Sequence, residues 1–109
     1  MNKFDDYIKA VMDGAKTLAY DNFSDLIGEA DQDTKDFIDT IKGDLIRWSG
    51  MLVEKKISEQ DFRDLVEAKK DLAKIQALTQ AGLALTRCER FRSSLINLLI
   101  DKAFEIFPV

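Results

Sequence analysis

The sequence predicts an all-α protein: a helical bundle of three long antiparallel helices, the third very long or kinked near Gly82. Apolar residues recur three and four apart through most of the chain, the signature of helices with one buried face. One proline, Pro108, and five glycines provide too few turns for a sheet protein of this length. The 46% apolar and 33% charged composition supports a buried core and excludes disorder. With 109 residues, a single helical domain over residues 1–109 is expected.

Helix one is expected over about residues 4–28. Its stripe runs through Phe4, Ile8, Val11, Ala15, Leu18 and Leu26, Asp5 and Asp6 meet the positive end of the helix dipole, and Gly28 marks its end. The acidic stretch Glu29–Asp33 then reads as a connector, with Asp31 or Asp33 capping the next helix. Helix two is placed at about 33–56, where Ile38, Ile41, Leu45, Trp48 and Leu52 form a seam suited to a nearly parallel helical neighbour. Gly43, Ile46, Gly50 and Val53 form a second line on an adjacent face, with glycines that permit close backbone approach.

Helix three is expected over about 59–107. Ser58 and Asp61 form a capping box at its start. Its early stripe, Phe62, Leu65, Val66, Leu72 and Ile75, gives way to a rotated one through Leu78, Ala81, Leu85, Cys88, Leu95, Leu99 and Ile106. No charge occurs between Lys74 and Arg87, so that segment is expected to be enclosed. A continuous helix of this length would reach about 70 Å, more than a small domain can cover. The alternative is a four-helix up-down bundle, broken at 82–86, with Thr86 capping the last helix and Glu89 returning the bond. The apolar, helix-favouring Leu83-Ala84-Leu85 makes a poor loop, which favours the long or kinked helix.

No constellation specifies a reaction, so no enzyme, cofactor or metal site is expected. The chain has no histidine, which removes the usual neutral-pH base, the Ser-His and Cys-His pairs and the commonest metal ligand. Read as a calcium loop from Asp31, the run fails, because Lys35 and Lys42 fall on ligand positions and Asp36 on the turn glycine. The glycines are too far apart for a phosphate loop. Cys88, the lone cysteine, can form no internal disulfide and points to a cytoplasmic setting, as does the absence of an N-terminal apolar run.

A net charge of −4 argues against nucleic acid as partner. Residues 1–44 carry eleven acids against five lysines, a net of −6, and the remainder nets +2, which suits intramolecular attraction between the halves. Arg87, Arg90 and Arg92 flank Cys88 and Phe91, as candidate contacts for an anion or acidic partner or as counter-charges to the acidic half.

The leading functional expectation is a non-catalytic helical interaction or structural protein. It would form a homodimer or small coiled-coil-like oligomer, with another helical protein as the second candidate partner. The candidate interface comprises Gly43, Ile46, Gly50 and Val53 together with Ala77, Ala81, Gly82, Ala84 and Cys88. One alternative is a membrane- or lipid-surface adaptor using Leu95–Val109, against which the near absence of basic residues there argues. Another is a small-molecule-binding bundle lined by Gln76, Thr79, Gln80 and Thr86.

Overall fold

A computed structural model describes residues 3–107, and all regular structure in them is helical. Helix α1 spans Lys3–Phe23, and a short 3-10 turn at Ser24–Leu26 leads into α2, Ile27–Val53. Helix α3 spans Glu59–Glu67, a second 3-10 turn covers Lys70–Leu72, α4 is the single turn-and-a-half Gln76–Gln80, and α5 spans Leu85–Ile106. Among the described residues no helix is long and apolar enough to cross a membrane.

Placed end to end, α1 and α2 would reach about 70 Å at roughly 1.5 Å per residue. The longest dimension of the molecule is 43 Å, so the chain must fold back at Ser24–Leu26. The reversal lies in Asp21-Asn22-Phe23-Ser24-Asp25, whose short polar side chains compete with helical backbone bonds. Phe23 leaves the helical region, with φ −156° and ψ 69°, and its ring sits edge-on to Phe91 of α5 at 5.4 Å. At the other end of the same pair, the Tyr7 ring meets Phe107 edge-on at 5.4 Å and its hydroxyl donates a 2.7 Å hydrogen bond to the Leu99 carbonyl. Helices α1 and α5 therefore run in opposite directions.

The core is bundle-like, with α1 packing on both α2 and α5, and α3 and α4 closing the remaining sides. Ile38, Ile41, Leu45, Trp48 and Leu52 are all buried, as the seam requires. Fully burying a leucine such as Leu45 or Leu52 contributes about 2 kcal/mol. On α1 the buried line is Tyr7, Val11, Ala15 and Ala19, and on α5 it includes Cys88, Leu95, Leu99 and Ala103. Ala15 and Ala19 hold little volume, and a Cβ at Gly14 would lie 2.8 Å from Leu98, so α1 and α5 approach closely there.

Several sequence expectations need correction. Helix one does not end at Gly28: Gly28 and Glu29–Asp33 lie inside α2, because the Phe23 turn reverses the chain before the glycine is reached. At its other end α2 stops at Val53 rather than near residue 56. The Lys56 amide bonds the Met51 carbonyl and the Lys55 amide bonds the Leu52 carbonyl, with Lys55 left-handed at φ 60°. That is a Schellman termination with lysine where glycine is usual.

Nor does residue 59 begin a helix that continues to 107. The capping box of Ser58 and Asp61 is formed, but α3 ends after nine residues. The chain then turns so that the Ala73 carbonyl accepts from Arg92 Nε at 2.7 Å, and Ile75 adopts φ 49° ahead of α4. Gly82, at φ 93°, closes α4 with a second Schellman pair, Leu83 to Leu78 and Gly82 to Thr79. The uncharged segment is not enclosed all round: Ile75, Leu78 and Leu83 are buried, while Gln76, Gln80, Ala81, Gly82, Ala84 and Leu85 face solvent. Thr86 does not cap α5, which starts on Ala84 without a side-chain cap. Pro108 lies outside the described residues.

Candidate functional site

Asp33, the expected local cap, lies within α2 and is 5% exposed. Its two carboxylate oxygens accept hydrogen bonds from the amides of Ala77 and Leu78, at 2.8 and 2.9 Å. It caps a helix, but across space: these are the free amides at the start of α4, where negative charge is favoured. With each carboxylate oxygen bonded to a backbone amide of α4, Asp33 docks that helix on α2, and its role is positional.

The candidate interface residues fall into two groups. Gly43, Ile46, Gly50 and Val53 lie on the outer face of α2, all exposed, with nothing within 4 Å of a Cβ built at either glycine. Ala77, Ala81, Gly82, Ala84 and Cys88 do not form a second continuous helical face. Ala77 is half-buried beside Asp33, Ala81, Gly82 and Ala84 are exposed in a turn, and Cys88 is buried. Because Asp33 lies almost three helical turns before Gly43 on α2, the two groups occupy different parts of the surface.

Cys88 is packed as a small apolar residue, with its sulfur 3.6 Å from both the Leu83 carbonyl and the Thr79 hydroxyl. Gln76, Thr79, Gln80 and Thr86 do not converge on a buried cavity, because all four lie at the surface. The apolar face of residues 95–107 is turned inward: Leu95, Ile96, Leu99, Ile100, Ala103 and Phe107 all belong to the core.

The three arginines have separate fates. Arg87 donates to the Asn22 carbonyl at the end of α1, and its guanidinium lies 5.6 Å from the centre of the Phe23 ring. Arg92 reaches the Ala73 carbonyl and pairs with Glu89, which also pairs with Lys70 at 3.5 Å. Arg90 is exposed and has no partner among the described residues. Of the two arginine–carbonyl bonds only Arg87–Asn22 joins the acidic and basic halves, and Lys69–Asp44, at 3.5 Å, is the one ion pair among the described residues that joins them across space.

Between the end of α1 and the first half of α5 lies an open groove of about 650 Å³. Leu18 and Phe23 form its apolar part over the buried Phe91, Arg87 and Arg90 its cationic part, and Thr86, Ser93 and Ser94 add hydroxyls. Sequence reasoning singled out the arginines and missed the serines and Asn22, because nothing local shows that the α1 end will cross α5 at that height. A usable signal is present: Thr86, Arg90 and Ser93 or Ser94 are spaced as i, i+4 and i+7 or i+8, one face of a helix. No protein-family model, curated protein or solved structure matches this chain, so its chemistry is read from its own side chains.

Proposed function

We propose that this chain is a non-catalytic helical interaction protein that self-associates through the outer face of α2, as an antiparallel bundle of α1, α2 and α5 buttressed by α3 and α4. The observation that carries the reading is the line Gly43, Ile46, Gly50, Val53. Its spacing of three and four residues is that of a coiled-coil seam over two heptads. Ile46 is 51% and Val53 52% exposed, two large apolar side chains on one outer face. The open space around Gly43 and Gly50 leaves room for a second backbone to approach closely.

The line is about 15 Å long at roughly 1.5 Å per residue, so two copies crossing there bury a modest area and associate weakly. A dissociation constant in the range of about 10 µM to 1 mM is expected. Sedimentation equilibrium over a dilution series tests this. The expected result is a concentration-dependent dimer that Ile46→Asp and Val53→Asp convert to monomer without loss of helix content. A chain monomeric up to about 1 mM, or a dimer indifferent to both substitutions, would sink the reading.

A further inference from the structure

We propose that the groove between α1 and α5 is a binding site for a small organic anion: a phosphate or carboxylate head held by Arg90 and the neighbouring hydroxyls, with an aromatic or aliphatic body against the half-buried Leu18 and Phe23. The site is separate from the α2 face and goes beyond self-association.

Hydrogen-bonding capacity is distributed unevenly over this chain, and the unevenness points to the groove. Thr17, Thr34, Thr40 and Thr79 each bond back to the carbonyl four residues earlier, Ser49 bonds the carbonyl of Ile46, and Ser58 caps α3. The hydroxyls of Thr86, Ser93, Ser94 and Ser24 make no hydrogen bond among the described residues. The first three line this groove, and Ser24 lines the shallow pocket on the other side of Arg87. Arg90, the uncommitted arginine of the cluster, lines the groove as well.

Electrostatics agrees with the hydroxyls. Arg87 and Arg90 occupy the first two turns of α5, the positive end of its dipole, with no acid in the first turn and no side-chain cap to offset them. Glu89, the one acid lining the groove, is tied to Arg92 and Lys70. The groove lining thus carries two guanidiniums against one carboxylate, while Asp21 and Asp25 lie in the pocket on the other side of Arg87. Guanidinium and hydroxyl donors suit a phosphate or carboxylate. The volume falls within the range of about 300–1,000 Å³ of small-molecule sites, and the mixed lining favours an amphiphilic ligand over an inorganic ion.

The test is titration of the full ¹⁵N-labelled chain with phenyl phosphate, benzoate, inorganic phosphate and benzyl alcohol, followed by amide chemical shifts. Phenyl phosphate and benzoate are expected to give saturable shifts confined to residues 18–23 and 86–94. Inorganic phosphate should bind about tenfold more weakly than phenyl phosphate, a difference near 1.4 kcal/mol, and benzyl alcohol should not bind. Arg90→Gln, at an exposed side chain without partners, should weaken binding about tenfold and leave the melting temperature unchanged. Ser93→Ala combined with Ser94→Ala should give a smaller loss. The proposal is overturned if neither organic anion saturates the groove amides by about 10 mM, if Arg90→Gln leaves the affinity unchanged, or if inorganic phosphate matches phenyl phosphate.

Discussion

Removing the Asp33 carboxylate should release α4 from α2, and the cost can be worked from the geometry. Two hydrogen bonds, of 2.8 and 2.9 Å, join one buried carboxylate to the amides of Ala77 and Leu78. Bonds to charged groups contribute about 1.5–3 kcal/mol each, which sets a ceiling near 6 kcal/mol for the pair. Two effects lower it. Ala77 is half-buried, so its amide can be rehydrated, and a five-residue helix can reorganise rather than leave both donors unsatisfied. Asp33→Ala is therefore expected to cost about 2–4 kcal/mol, a large share of the roughly 5–15 kcal/mol by which a domain is stable. Asp33→Asn keeps one acceptor oxygen and should cost about half as much. Urea unfolding followed by circular dichroism measures the total, and hydrogen exchange at Ala77 and Leu78 reports whether α4 opens before the rest. Asp36→Ala, one turn away at an exposed side chain that bonds Gln32, is the control and should stay within about 0.5 kcal/mol of the parent. An Asp33→Ala protein equally close to the parent, with unaltered exchange at both amides, would refute the reasoning.

Burial pushes the Tyr7 phenol above its ordinary value, so the folded state favours the neutral ring. The associated stability is complete below about pH 10, where the unfolded phenol is also protonated, and is lost as the pH rises further, by up to about 1.4 kcal/mol per unit. Tyr7→Phe should cost about 0.5–1.5 kcal/mol at neutral pH through the bond to Leu99 and should lack that alkaline loss, so the two stability curves converge above pH 10. Parallel curves would contradict this. The two Schellman terminations predict opposite signs for similar changes. Gly82→Ala forces a side chain into φ 93° and should destabilise by about 1–2 kcal/mol, whereas Lys55→Gly relieves an exposed lysine at φ 60° and should stabilise by about 0.5–1 kcal/mol. Thermal unfolding of the two variants decides it, and shifts of the same sign would be inconsistent with the capping account.

The parts of this fold legible in the sequence are those governed by local periodicity. The seam of Ile38, Ile41, Leu45, Trp48 and Leu52 is buried as its spacing implies, and the Ser58 capping box sits where Ser and Asp stand three apart. The breaks were harder to read because tertiary contacts make them. Gly28 looks like a helix end and is helical, while Lys55 looks like helix interior and is the left-handed terminus. The turn at Ala73–Ile75 contains neither proline nor glycine. It is held by Arg92, nineteen residues later, and by Asp33, more than forty residues earlier, so no window around it carries the signal. The same reason hid the groove: its arginines and serines share a helical face in the sequence, but the phenylalanine that completes it comes from the far end of α1.

The ring contacts that join the first turns of α1 to the last of α5 bear on how the chain ends melt. Terminal turns ordinarily fray singly, each with an opening free energy near zero. Here Phe4 packs on Tyr7, Tyr7 packs on Phe107, and the Tyr7 hydroxyl is fixed to the Leu99 carbonyl. Peeling back either end strips the other of its apolar cover, so the two behave as one cooperative unit. Amide exchange at residues 7–11 and 100–106 would then share a common rate and a common response to denaturant, despite a separation of about ninety residues along the chain.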